Sequence, residues 1–235
     1  MGRSVCEHLG RQGDAVAVVD RDGEAAERVA DEIRSAGGKA IACKTDVSDR
    51  AQVDAAMDSA RSEFGPIRVL VTSAGITGFT PFREITLEAW NRMLAVNLTG
   101  TFHCVQSAIP DMIDAGWGRI VLVSSSSAQR GAPRMAHYAS SKGGVFALTK
   151  TLALEFATAG ITVNNIAPSS IETPMNTKSR AEGKLGPIED TARRIPVGRL
   201  GTGDDIAAAC TFLCSDDASY FTGQTMSVNG GSYIN

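Results

Sequence analysis

Arg119-Ile120-Val121-Leu122-Val123-Ser124-Ser125-Ser126-Ser127, followed by His137-Tyr138-Ala139-Ser140-Ser141-Lys142, is the stretch on which the reading of this chain turns. Arg119 to Val123 is a short apolar run that reads as a buried strand, and Gly143 to Gly160, rich in Ala, Leu and Phe, reads as a helix. Tyr138 and Lys142 stand four apart. With a helix starting near His137, that spacing puts both on one face, one turn apart, where an ammonium lies near a phenol. A positive charge so placed favours phenolate and brings a group with an ordinary pKa of about 10 into use as a proton donor and acceptor near neutrality. Ser125, at the strand's end, aims a hydroxyl at the same place. Taken singly, these pieces also read as an amphipathic surface pair and a solvated serine loop.

Composition narrows the setting. With 235 residues, 43% hydrophobic and 21% charged, the chain suits one domain over 1–235 with a sizeable core. A formal net charge of -3 leaves no electrostatic footprint for nucleic acid or an anionic membrane, and neither is expected as a partner. No apolar stretch approaches the roughly eighteen residues of a membrane span, and Met1 to His8 lacks the apolar segment of a signal peptide, so a cytoplasmic location is expected. Cys6, Cys43, Cys104, Cys210 and Cys214 include no Cys-Xaa-Xaa-Cys pair; they read as reduced core thiols, and no metal site is expected.

Outward from the central stretch, strands and helices alternate. Strands are expected at Asp14–Asp20, Lys39–Lys44, Ile67–Val71, Ile161–Ala167 and Gln224–Val228, with helices at Gly2–Gly13, Gly23–Ala36, from a Ser48 cap to Phe64, through Thr86–Ala115 with a break near Val96–Gly100, and up to Ser215. The polar stretch of about 174–197 reads as a long irregular insert of the kind that forms a lid over a site. The pattern predicts an α/β fold, a Rossmann-type doubly wound parallel sheet. One feature breaks it, because a first helix should follow a first strand and none precedes Gly2. In a dinucleotide-binding βαβ unit, glycines open the first helix and an acid about 20 residues later takes the ribose hydroxyls. Gly2 and Asp20 fit that spacing. The expectation is therefore that Gly2 is the last glycine of such a fingerprint, that Met1 is an internal methionine, and that about a dozen upstream residues and the first strand are missing from this chain. That strand would be central, so two strands should face each other with unpaired backbone groups.

Ser125, thirteen residues before Tyr138-Xaa-Xaa-Xaa-Lys142, together with Asn97 and Asp20, resembles the signature of the short-chain dehydrogenase/reductase family, and the resemblance runs from Gly2 through essentially the whole chain. It implies an NAD(P)-dependent oxidoreductase that interconverts a secondary alcohol and a ketone by hydride transfer. Catalytic roles fall to Ser125 and Tyr138, whose hydroxyls receive the carbonyl oxygen, to Lys142, which holds the nicotinamide ribose and lowers the tyrosine pKa, and to Asn97, which holds a water on the proton path. Cofactor contacts fall to Gly2, Asp20, Arg21, Asp46, Val47, Ser73, Ala74, Gly75, Tyr138, Lys142, Pro168, Ile171 and Thr173. Thr72-Ser73 replaces the family's usual Asn-Asn and Ser169 its usual glycine. Asp20 repels a 2′-phosphate, so NAD is expected over NADP, with Arg21 a partial offset. Relatives pack tetramers on helices that match Thr101–Ala115 and His137–Gly160, which implies a homotetramer or homodimer.

Within the family, a 3-oxoacyl-acyl-carrier-protein or acyl-CoA reductase is the alternative. Gly116 and Ala159 stand where carrier-protein-using relatives tend to place arginines, which tilts the reading to a small alcohol, sugar or free acyl substrate. A serine hydrolase lacks Gly-Xaa-Ser-Xaa-Gly, and His8, His103 and His137 have no evident triad partner. A non-catalytic binding or assembly protein is the rival from another class, since the phosphate loop is short.

Overall fold

The computed structural model describes residues 1–234, and all its strand pairings are parallel. β1 (Ala15–Asp20) pairs with β2 (Lys39–Lys44), Ala15 opposite Lys39 and Asp20 opposite Lys44. β3 (Val69–Thr72), β4 (Gly118–Val123), β5 (Ile161–Ile166) and β6 (Thr225–Met226) form a second sheet in that order. Parallel neighbours need long crossovers, and helices supply them. α1 (Gly2–Gln12) leads into β1, α2 (Gly23–Ser35) joins β1 to β2, and α3 (Arg50–Phe64) runs on to β3. α4 (Leu87–Leu94) and α5 (Gly100–Ala115) lie between β3 and β4, α6 (Ser126–Arg130) and α7 (Ala136–Phe156) between β4 and β5, and α8 (Pro174–Ala181), α9 (Ile188–Arg193) and α10 (Gly203–Cys214) between β5 and β6.

β4 and β5 are buried at every position, as expected of parallel strands covered by helices on both faces. Their side chains divide by the period of two. Ile120, Leu122 and Val163 pack with Met112 and Val145 on one face, while Val121 and Ile166 pack with Val5, Ile206 and Leu213 on the other. Val16 and Val18 of β1 sit under Ala26, Val29 and Ile33 of α2 in a third cluster. Gly160, in the left-handed region at φ 74°, turns the chain from the end of α7 into β5, and a Cβ there would come 2.2 Å from the Gly116 carbonyl oxygen.

The sequence expectations hold for most elements and fail informatively at three. Ser48 does not cap α3: the Asp49 carboxylate accepts from the amides of Ala51 and Gln52, while the Ser48 hydroxyl donates to Asp46 at 2.6 Å. Residues 174–197 are only partly irregular, because Thr173 caps α8 and Pro174 opens it, and α9 follows. The last strand is only Thr225–Met226, and just before it Gln224 N donates to the Asn164 side chain at 3.1 Å. The expected helix break is a π turn at Ala95–Thr99. Among the described residues the two sheets share no ladder, and β1 and β3 line one cleft.

Candidate active site

The site begins where β4 ends. Ser124 continues the strand, its amide donating to Ile166 O at 2.8 Å, and Ser126 N then donates to Pro168 O at 2.9 Å, so the start of α6 is tied to the end of β5. Ser125 between them is extended and caps α6; its Oγ accepts from Ser127 N and lies 2.8 Å from Ser127 Oγ. The chain returns as α7, which carries Tyr138 and Lys142 one turn apart. The Tyr138 phenol lies close enough to the Ser125 side chain to interact with it, so the structure brings Ser125, Tyr138 and Lys142 together.

Burial governs the proton affinities here. Lys142 is enclosed, its Nζ donating to Val123 O at 2.8 Å, and desolvation of the ammonium brings its pKa down to about 8. For Tyr138, burial raises the pKa above its usual value and the nearby Ser125 side chain opposes it. This corrects the expected downward pull of Lys142 on the phenol. Both groups leave water together, and desolvation disfavours the charged form of each.

Asn97 lies wholly inside the π turn. Its Oδ1 accepts from Ile76 N at 2.8 Å, and its Nδ2 donates to Ile76 O at 3.0 Å and to Ser141 Oγ at 3.0 Å. The side chain clamps the loop after β3 to α7, with its polar atoms committed to protein groups. Gly75 is the close approach in that loop: a Cβ would lie 3.2 Å from Asn97 Oδ1 and 3.4 Å from Lys142 Nζ. Ser141 escaped the sequence reading; its hydroxyl donates to Tyr138 O at 2.7 Å while accepting from Asn97. Its place three residues beyond Tyr138 was the available signal.

Gly2, Asp20, Val47, Ser73, Ala74, Gly75 and Thr173 line one cleft of about 820 Å³. The first intrahelical bond of α1 runs from Val5 N to Met1 O at 3.1 Å, leaving the amides of Gly2, Arg3 and Ser4 ahead of it, and no side chain caps them. Gly2 abuts the Ser73 side chain at the end of β3. Asp20 is exposed, its Oδ1 accepting from Asp22 N at 2.9 Å. Thr173 faces the cleft from the start of α8. Arg21, Asp46, Tyr138, Lys142, Pro168 and Ile171 do not line it. Asp46 bonds Ser48, which lowers its pKa; Pro168 backs Ser126; Ile171 is buried in a bridge to Gly201.

A parallel α/β sheet with Ser125, Tyr138 and Lys142 at its carboxyl edge matches known proteins. The family model described as enoyl-(acyl carrier protein) reductase matches residues 1–233. The 3beta-hydroxysteroid dehydrogenase 1 of Eggerthella lenta is 41% identical over 233 residues, 98% of this chain and 88% of its own length. The chain belongs to the short-chain dehydrogenase/reductase family. The 3-oxoacyl-acyl-carrier-protein reductase FabG of Staphylococcus aureus is 39% identical over 235 residues, 100% of this chain and 94% of its own. A solved gluconate 5-dehydrogenase from Burkholderia cenocepacia, in complex with NADP and tartrate, superposes with a TM-score of 0.89 at 33% identity, covering 97% of this chain and 89% of that one. As a short-chain dehydrogenase/reductase, the protein is an NAD(P)-dependent oxidoreductase acting on CH-OH and ketone groups of a small molecule. No helix among the described residues is long and apolar enough to cross a membrane.

Proposed function

We propose that this short-chain dehydrogenase/reductase interconverts a small secondary alcohol and its ketone with NAD, with Tyr138 as general acid and base. The observation that carries the reading is the gathering of the Ser125 and Tyr138 side chains with Lys142 enclosed one helical turn away. The two hydroxyls receive the carbonyl oxygen, which gains charge during reduction. A phenol whose pKa burial holds up stays protonated at neutrality and is ready to donate. In the alcohol-oxidising direction the same group must first lose its proton, so that direction should speed up as pH rises. Lys142 holds the ribose hydroxyls, while Asn97 and Ser141 hold α7 against the loop after β3.

The cleft fits a nicotinamide dinucleotide: uncapped amides at the start of α1 suit a pyrophosphate, and only glycine at position 75 leaves room beside Lys142. When bound, the nicotinamide supplies or takes up the hydride. Asp20 accepts the adenosine ribose hydroxyls and repels a 2′-phosphate, Arg21 tempers this, and Asp46 and Val47 lie on the adenine side. Thr173 borders the nicotinamide carboxamide, and Pro168 and Ile171 support the segment behind it.

The substrate is a small alcohol, sugar or free acyl compound rather than a carrier-bound one. Gly116 and Ala159 supply no arginine, and two cations of residues 174–197 are paired within the segment, Lys184 with Glu182 at 2.7 Å and Arg193 with Asp190 at 3.3 Å. That segment, α8 and α9, is the lid of a single catalytic domain spanning 1–235. Exposed Phe102 and Ile113 on α5 and Leu154 on α7 suit self-association into a homodimer or homotetramer, in a cytoplasmic enzyme. The test is NADH deuterated at both C4 positions, offered with a 3-oxosteroid, a 3-oxoacyl thioester or a keto sugar acid. Deuterium on the carbinol carbon supports the reading. Saturable NADH binding with no transfer to any ketone offered would favour the non-catalytic binding protein.

A further inference from the structure

We propose that Ser127 is a positioning residue for ketone reduction: its hydroxyl donates to Ser125 Oγ and so leaves the one proton of Ser125 for the substrate oxygen. The inference rests on the proposed function, since it completes a donor that the reaction uses. The two Oγ atoms lie 2.8 Å apart, and Ser125 Oγ also accepts from Ser127 N at 3.2 Å. Side chains two apart within a helix do not face each other. Here Ser125 stands just ahead of the helix with extended backbone, at φ -163° and ψ 146°, and as the cap of α6 its side chain folds back over the first turn, where Ser127 stands.

The count of protons and lone pairs sets the direction of the bond. A serine hydroxyl has one proton to give and two lone pairs to fill. Among the described residues, Ser125 Oγ is the one hydrogen-bond partner of the Ser127 hydroxyl, and Ser127 is buried. Were Ser125 the donor, its proton would be spent on Ser127, and the Ser127 proton would lie away from water with no acceptor, an arrangement that folded proteins avoid. With Ser127 as donor, the Ser127 amide and hydroxyl fill both lone pairs of Ser125, and the Ser125 proton points out of the cluster. The Ser125 side chain opposes the rise that burial imposes on the Tyr138 pKa, the sense expected of a hydroxyl that donates to the phenol oxygen.

The flanking residues hold the backbone on each side of Ser125. The Ser124 amide and hydroxyl both donate to Ile166 O, at 2.8 and 3.2 Å, and Ser126 N donates to Pro168 O at 2.9 Å. Rotation of the Ser125 hydroxyl is the freedom that remains, and the Ser127 hydroxyl removes it. A donor already aimed when the carbonyl oxygen gains charge needs no reorganisation during hydride transfer. Ser127 acts through Ser125 alone in this assignment and touches neither ketone nor cofactor.

Ser127→Ala removes the hydroxyl and keeps the amide that Ser125 caps. NADH-dependent reduction of a 3-oxosteroid, a 3-oxoacyl thioester and a keto sugar acid is followed in wild type, Ser127→Ala, Ser125→Ala and the double variant. The expected result is a kcat about tenfold lower in Ser127→Ala with KM within about twofold, and no further loss when Ser127→Ala is added to Ser125→Ala. A second measurement needs no substrate: phenolate absorbance in the near ultraviolet, with and without Tyr138→Phe, isolates the Tyr138 titration in wild type and in Ser127→Ala. Its midpoint should rise by about half a pH unit or more without the Ser127 hydroxyl, and Lys142, the charged group one turn along α7, is common to every variant. A Ser127 that serves only to pack the start of α6 would move neither the kcat nor the midpoint, and that pair of results would overturn the proposal. So would a further tenfold or so loss from Ser127→Ala in the Ser125→Ala background, which would make Ser127 act independently of Ser125. Both outcomes leave the proposed function standing, whereas a wild-type kcat in Ser125→Ala would overturn the two together.

Discussion

Lys142 sets the chemistry at the residue scale. Its ammonium is enclosed and bonded only to a backbone carbonyl, and its pKa falls to about 8. An unfolded lysine keeps its proton to about pH 10.4. Below pH 8 the full penalty of burying the charge is present; between about 8 and 10.4 the unfolded chain binds the extra proton, so stability rises with pH across that window. Denaturant titrations of wild type and Lys142→Met should therefore show the difference between them shifting towards wild type from pH 8 to 10, by on the order of 3 kcal/mol at most. A difference flat in pH would contradict the burial assigned to Lys142. Asp20 is the second test: Asp20→Ser should raise the NADP to NAD ratio of kcat/KM by about tenfold or more, measured with both cofactors. Tyr138 and Lys142 were legible because helical spacing alone puts them on one face. The sign of the Tyr138 shift was not, since spacing says nothing of how much water a pair loses. Nor was the clamp from Asn97 to Ser141, a contact between residues 44 apart in the chain.

At the scale of elements, local rules decide more than a first reading extracts. Both Ser48 and Asp49 are good cap residues, and the one that caps is the one adjacent to the first turn, leaving Ser48 to Asp46. Asp49→Ala should lower stability by about 1 kcal/mol and Ser48→Ala by less, judged from thermal unfolding. The reverse order would restore Ser48 as the cap. Residues 174–197 looked irregular because they lack a broad apolar stripe, yet Thr173-Pro174 is a helix start and Gly183, at φ 69°, a helix stop. The break between α4 and α5 was visible in the sequence; its π geometry, which turns Asn97 inwards, arises from packing against α7.

For the whole molecule, alternating strands and helices predicted a parallel α/β fold and the order of its elements, because apolar runs flanked by crossover helices have few other ways to be buried. That the sheets of β1 and β3 share no ladder among the described residues followed from the same topology. Cluster membership did not, since Val5 of α1 shares its core with Ile206 and Leu213 of α10 only once the chain is folded. The arrangement gathers one hydroxyl pair at the carboxyl edge, and everything said of function depends on it. The most direct measurement follows NADH absorbance as wild type and Tyr138→Phe reduce the same ketone, with NADH affinity determined for each. The account predicts that kcat falls by about 10²- to 10⁴-fold in Tyr138→Phe while NADH binds both with affinities within about twofold. An unchanged kcat in Tyr138→Phe would contradict it.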